Sequence, residues 1–344
     1  MELGLRARDR EILEAVIASY METGNPVGSR ALCKRYKLDL SPATVRNVMG
    51  DLEDIGLLAQ PHASAGRIPT DRGFRLYVDT IMKLQELTPE ERGAIEASCQ
   101  ISSPEPSDLM RKTSHILSQI TQYTGLVRAP KFSDTVIKQI EFIQLGEDRI
   151  LVILVSKSGM VHNSIIHVDR RLGQKELDKY TKYVNSLLGH LTLAELKERI
   201  VQEMEREKEA FDRLFLRALE LSRRALTSDP DEGLYIGGKV NIFQQREFED
   251  IEQMRRLLKA FEDKRILIRI LEKSASAPGI QIFIGAENEF AEMQDCSVIT
   301  SRFGHSGRLM GTLGVIGPKR MNYSKVVPIV EYTAQMVTKA LETA

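Results

Sequence analysis

Apolar positions recur at helical spacing through the first part of the chain. Leu13, Val16, Ile17 and Tyr20 form one stripe, which ends at the turn residues Glu22-Thr23-Gly24-Asn25-Pro26. Ser29 can cap a second short helix carrying Ala31, Leu32 and Tyr36, and Lys37-Leu38-Asp39-Leu40 turns into a third. The third is the best marked. Ser41 can accept a hydrogen bond from a free N–H of the first turn, and Pro42 stands where a missing N–H costs nothing. Val45, Val48, Met49, Leu52 and Ile55 then share one stripe, and Gly56 stops the helix. After it the period shortens. Leu57-Leu58-Ala59-Gln60 and Arg67-Ile68-Pro69 read as two short strands joined by the small-residue loop His62-Ala63-Ser64-Ala65-Gly66.

Three short helices followed by such a hairpin is the order of a winged helix-turn-helix domain. In that arrangement the third helix enters the DNA major groove and the hairpin lies along the backbone or minor groove. The face of the third helix opposite its apolar stripe suits this role. Ala43, Asn47 and Gly50 lie there near the N-terminus, Thr44 and Arg46 flank them, and Asp51, Glu53 and Asp54 are held back at the far end. Asn47 can make a bidentate contact with adenine, and Arg46 can reach guanine or a phosphate. Ser41, Ala43 and Thr44 would sit close to the duplex at the same tip, the last two near base edges or thymine methyls. From the wing, Ser64, Gly66 and Arg67 would approach the backbone, with Gly66 letting the chain come close. Arg30, Lys34, Arg35 and Lys37 cluster on the second helix and its turn, where a phosphate clamp is needed.

Beyond the hairpin, Thr70 to about Glu86 reads as a helix with Phe74, Tyr77, Val78, Ile81 and Met82 apolar. Thr88-Pro89-Glu90-Glu91 is a capping-box start for a short helix ending near Cys99, and two prolines within residues 102–107 mark a linker. Leu109, Ile116, Leu117, Ile120 and Tyr123 predict a helix ending at Gly125. Strands are predicted at 136–145, 149–156 and 160–168, with glycine in both turns. Helices follow at 174–188 and, unusually long, 192–226. Leu193, Leu196, Ile200, Met204, Phe211, Leu214, Ala218 and Leu221 recur there near heptad spacing around a charged middle, Glu203 to Glu209. A helical excursion between strands suggests subunit association. The remainder predicts a strand at 234–240, a helix at 247–262, strands at 266–271, 280–284, 297–302 and 308–316, and a closing helix at 324–342.

The expected architecture is α+β and multidomain. It comprises a winged helix-turn-helix domain over 1–87, a linker over 88–106, a GAF-like antiparallel α/β domain over 107–170 and 240–344, and a mainly helical inserted dimerisation segment over 171–239.

The stretch SPATVRNVMGDLEDIGLL, followed by PHASAGRIPTDRGFRLYVD, resembles the signature of the HrcA heat-inducible transcription repressors of bacteria. The tail GTLGVIGPKRMNYSKVVPIVEYTA is similar to the C-terminal region of the same family. Ala63 stands where that family more often has Thr, and Phe74 where it more often has Tyr; neither departure touches a charged group. The resemblance implies a repressor of heat-shock chaperone operons acting on an inverted repeat, the CIRCE operator, in double-stranded DNA. It also implies that the GroEL chaperonin keeps the repressor active.

Composition narrows the picture. Lys plus Arg and Asp plus Glu balance at 48 each, so DNA affinity must come from a local patch reinforced by a homodimer. Cys33, Cys99 and Cys296 are isolated thiols, which suits a reducing cytoplasm, and the charged N-terminal helix does not read as a signal peptide. The longest apolar run, Ile150 to Val155, is too short to span a membrane.

Other chemistry is not written in the chain. His162 and His167 are five apart on one strand and face opposite ways, so no metal is expected. Gly304-His305-Ser306-Gly307 lacks a nucleophile elbow, and Gly237-Gly238 lacks Walker spacing, so neither a catalytic residue nor a cofactor is expected. Two rivals remain open at this point. One is a ligand-responsive regulator holding a small effector in the GAF-like domain; the other is an adaptor whose winged helix binds protein.

Overall fold

The computed structural model describes residues 5–100, 106–129, 135–157, 161–168, 172–207, 221, 233–245, 248, 250–305 and 308–343. It is a mixed α/β structure of helices and antiparallel sheets.

The N-terminal head holds α1 (Ala7–Thr23), α2 (Ser29–Tyr36) and α3 (Pro42–Asp54), then β1 (Leu58–Ala59) and β2 (Ile68–Pro69). Ile12, Leu13, Val16 and Ile17 of α1 meet Leu32 of α2 and Val45, Val48, Met49 and Leu52 of α3 in one buried cluster. The N–H of Gly56 bonds to Glu53 O at 2.8 Å and that of Leu57 to Leu52 O at 2.9 Å, the paired bonds of a glycine-ended helix. Leu58 pairs with Pro69 and Ala59 with Ile68 in antiparallel register. Val27 extends this hairpin by one bridge, its N–H and C=O bonding to Arg67 O and N at 2.8 and 2.9 Å.

The helix expected over 70–86 is shorter. α4 (Asp71–Leu76) loosens into a π turn at Tyr77–Ile81, closed by Met82 N–H to Tyr77 O at 2.8 Å, and the chain then leaves helical geometry. α5 (Pro89–Cys99) has the full Thr88–Glu91 capping box. The 88–106 stretch is therefore more than a connector. Ile95 and Cys99 are buried, α5 packs on α6 (Pro106–Thr121), and Glu91 pairs with Lys325 at 2.9 Å.

A five-stranded antiparallel sheet follows. It contains β3 (Thr124–Arg128), β7 (Leu234–Gly237), β8 (Gln281–Ile284), β9 (Cys296–His305) and β10 (Arg308–Pro318) in the order β7-β3-β10-β9-β8. Alternation along the strands sorts its side chains into two layers. Val127, Ile299, Leu313 and Val315 join α6, the final helix and the head, whereas Leu126, Val298 and Ile316 join the helices of the other face. Those helices are α9 (Lys239–Phe243), α10 (Ile251–Glu262) and α11 (Lys264–Ala275); the final helix is α12 (Tyr323–Thr343). Two sequence expectations are corrected here. Residues 266–271 are helical, burying Ile266, Leu267, Ile270 and Leu271 at steps of three and four, and Gly125 lies inside β3 rather than ending a helix.

The strands β4 (Ile137–Gln144), β5 (Arg149–Ser156) and β6 (Val161–His167) form a separate three-stranded sheet. Ile140, Phe142, Ile150, Val152 and Leu154 pack on Leu177, Tyr180 and Val184 of α7 (Gln174–Leu188) and Leu196 and Ile200 of α8 (Leu193–Glu207). Asn185 fastens α7 to β4, accepting from Ile140 N–H at 2.9 Å and donating to Ile140 O at 2.8 Å. These strands thus go with the inserted helices and not, as chain order suggested, with the later strands. The inserted unit lies between β3 and β7. Residues 208–220 and 222–226 of the expected long helix lie outside the described residues.

Candidate nucleic-acid interface

The exposed tip of α3 is built by its first residues. Ser41 is extended at φ −68° and ψ 148°, and its Oγ accepts from Thr44 N–H at 3.1 Å. The same Oγ lies 2.9 Å from Thr44 Oγ1, so the Thr44 hydroxyl is engaged in the cap and only half-exposed. Ala43, Arg46 and Asn47 face solvent while Val45, Val48 and Met49 are buried behind them. Among the described residues, neither Arg46 nor Asn47 spends its side chain on a hydrogen bond or ion pair. A helix N-terminus also carries partial positive charge and unsatisfied N–H groups, which favour an anion.

The loop beside it is shaped by a residue that sequence reading passed over. Gln60 Nε2 donates to Ala63 O at 3.0 Å and to Ala65 O at 2.9 Å, and Ala65 N–H bonds to His62 O at 2.8 Å. His62, Ala63 and Ser64 are left on the outside of the loop. Gly66 and Arg67 are turned to the protein's own use. A Cβ on Gly66 would lie 2.4 Å from the Val27 carbonyl oxygen, so the close approach is to the strand-like segment before α2. Arg67 Nε stands 2.7 Å from Glu53 Oε2 with only 20% of its side chain exposed. Glu53 carried no signal in the sequence beyond its charge.

On α2, Arg30 and Lys34 are four apart and exposed, one helical face presenting two cations. Arg35 is paired with Glu22 and lies 5.9 Å from the Tyr36 ring centroid, which removes it from that set. Arg6 is held by Asp9 at 2.9 Å, and that hydrogen bond raises its pKa above the ordinary value. The structure therefore brings Ser41, Ala43, Arg46 and Asn47 to one tip and leaves Ser64 outward on the neighbouring loop.

Elsewhere, among the described residues, no three His, Cys, Asp or Glu side chains gather as metal donors, and no helix is long and apolar enough to cross a membrane. A cavity bounded by Ile270, Phe283, Asn288 and Phe290 holds about 10 Å³, room for about one water molecule.

A family model described as "HrcA protein C terminal domain" matches residues 107–327. Heat-inducible transcription repressor HrcA of Syntrophobacter fumaroxidans is 44% identical over 340 residues, spanning 98% of each chain. That of Geobacter sulfurreducens is 45% identical over 335 residues, spanning 97% of this chain and 98% of its own. The chain belongs to the HrcA family of heat-inducible transcription repressors. The HrcA relatives align across the head as well as the C-terminal region, since they span nearly the whole chain. A crystal structure described as a hypothetical protein shares the fold at TM-score 0.65 and 22% identity, covering 98% of this chain and 99% of its own.

Proposed function

We propose that this HrcA protein is a winged-helix repressor that binds, as a homodimer, an inverted-repeat operator of CIRCE type ahead of chaperone operons. The observation that carries the reading is the outward, uncommitted pair Arg46 and Asn47 at the capped tip of α3, with the apolar stripe of the same helix buried behind it. Asn47 offers the bidentate geometry that adenine accepts, and Arg46 that of guanine or a phosphate. Ala43 is small enough to let the helix approach base edges. Ser41 and Ser64 add hydroxyls at the margin, and Arg30 and Lys34 add charge where the preceding helix would cross the backbone.

Formal neutrality makes a second copy important, because one small patch gives modest affinity and two linked patches multiply it. The inserted unit supplies an apolar surface for association. Among the described residues, the buried face of its sheet packs on α7 and α8. On the other, Leu151 stands opposite Ile165 and Val155 opposite Val161, with Ile165 53% and Val161 61% exposed. The five-stranded unit is read as GAF-like, and the family resemblance names GroEL as the partner that maintains the active form. Cytoplasmic residence follows from that role.

Footprinting on an inverted-repeat promoter fragment tests the reading. Two protected patches are expected, separated by whole helical turns of about 34–36 Å. Unphased protection, or equal affinity for a scrambled duplex, overturns it. Restoration of operator binding by GroEL after a heat step supports the chaperonin part, and no change with added chaperonin removes it.

A further inference from the structure

α4 and its flanks touch the head and the five-stranded unit at once. On the head side, Thr70 Oγ1 donates to Gly56 O at 2.7 Å and accepts from Gly73 N–H at 3.1 Å, tying the start of α4 to the end of α3. On the other side, Asp71 Oδ2 accepts from Ala286 N–H at 2.9 Å and Oδ1 lies 2.9 Å from Lys319 Nζ. One turn later, Arg75 Nε donates to Glu287 Oε1 at 2.8 Å, Nη2 reaches both Glu287 Oε2 and, at 2.6 Å, the Ile282 carbonyl. Glu287 is itself held, accepting from Ile284 N–H at 2.8 Å. Gly285 stands at φ +53°, which favours glycine, and a Cβ there would lie 2.1 Å from Asp71 Oδ2 and push that carboxylate aside. Between these polar contacts Phe74 is sandwiched, 6.3 Å from the Tyr20 ring and 6.0 Å from the Tyr323 ring.

An aromatic contact alone resists separation but tolerates rotation. A two-point guanidinium–carboxylate contact, with a second carboxylate fixed one turn away, sets an angle. None of these groups lies at the exposed tip of α3. We propose that Asp71 and Arg75 are positioning residues for operator binding: they fix the head on the five-stranded unit and so set the separation of the two heads on a duplex. This rests on the reading of the protein as a homodimer on an inverted repeat. With the contact broken, the head keeps the Phe74–Tyr323 packing and the hydrogen bond from Arg320 Nη1 to Met21 O at 3.0 Å but loses the two-point contact that sets its angle, so the second head engages with more rotational freedom and its benefit depends less sharply on half-site spacing.

The test is fluorescence anisotropy with the full-length protein on three duplexes: the natural inverted repeat, the same repeat with about five base pairs inserted at its centre to rotate one half-site by half a turn, and a single half-site. Wild type should discriminate sharply against the lengthened spacer. Arg75→Ala, Asp71→Asn and, from the other side, Glu287→Gln should each narrow that discrimination about fivefold or more, while half-site binding stays at the wild-type level. The exchange Arg75→Glu with Glu287→Arg should restore part of it. Thermal melts verify that each variant is folded. Folded variants that keep the wild-type spacer discrimination overturn the proposal. So does a parallel loss of half-site and operator binding, which marks a merely structural role. A wild type that binds the natural repeat no better than the half-site overturns the operator reading and this proposal with it, so the two failures are distinct.

Discussion

Arg67 Nε lies 2.7 Å from Glu53 Oε2, joining the base of the hairpin to the last turns of α3. The arginine at the base of the hairpin is thereby used to hold the hairpin rather than to reach outward. With the two side chains 20% and 32% exposed, the ion pair contributes about 0.5–1 kcal/mol after solvent screening. Arg67→Ala and Glu53→Ala should each lower head stability by about that much, and the double variant by little more than either single change. Urea unfolding checks this, and strict additivity would contradict a direct pair.

Gly66 and Gly28 make a matched comparison. A Cβ at Gly66 would meet the Val27 backbone at 2.4 Å, whereas nothing lies within 4 Å of one at Gly28. Gly66→Ala should destabilise by about 1–3 kcal/mol, because the neighbour is backbone and cannot yield. Gly28→Ala should change stability by under about 0.5 kcal/mol. Denaturant midpoints of the two variants decide the matter.

Local rules were readable in the sequence, and long-range pairing was not. Ser41-Pro42 and Thr88-Pro89-Glu90-Glu91 announce α3 and α5 because capping is settled within four residues. Residues 266–271 misled because Ile-Leu-Ile-Arg-Ile-Leu suits either a strand or a buried helix when read alone. β3 went unseen since its five residues follow directly on α6 and its partners lie more than a hundred positions away. The same holds for β4 to β6, whose membership in a separate sheet depends on which face α7 covers. At the candidate interface, the exposed α3 tip could be read from periodicity. The engagement of Arg67 and the loop-closing role of Gln60 could not, since both depend on where a turn places a carbonyl or carboxylate.

The open face of the β4–β6 sheet gives a prediction for assembly. Ile165→Lys places a charge among Leu151, Val155 and Val161, and under the proposed homodimer it should raise the dissociation constant at least about tenfold, or about 1.4 kcal/mol. Val240→Lys, at a residue 65% exposed on α9, should leave the assembly unchanged. Sedimentation velocity across a dilution series measures both. Equal behaviour of the two variants would move the dimer contact away from this sheet.

His162 gives the inserted unit a pH dependence. Burial pushes its imidazole below the ordinary value of 6.5, so between the lowered value and 6.5 the unfolded chain binds more protons than the folded one. Its contribution is present above about pH 6.5 and is lost as pH falls through that window. Unfolding midpoints should drop from pH 7.5 to 5.5 in wild type, and less steeply in His162→Gln. Equal slopes would assign the loss to other groups.

The operator account stands or falls on a salt titration of wild type, Arg46→Ala and Asn47→Ala against an inverted-repeat duplex and a scrambled control. The account predicts steep salt dependence, a loss of about 1–3 kcal/mol per base contact removed in Asn47→Ala, and in Arg46→Ala either a shallower salt slope or relaxed base preference. Variants that bind the repeat as tightly as wild type, with the same slope and the same preference over the scrambled duplex, would contradict it.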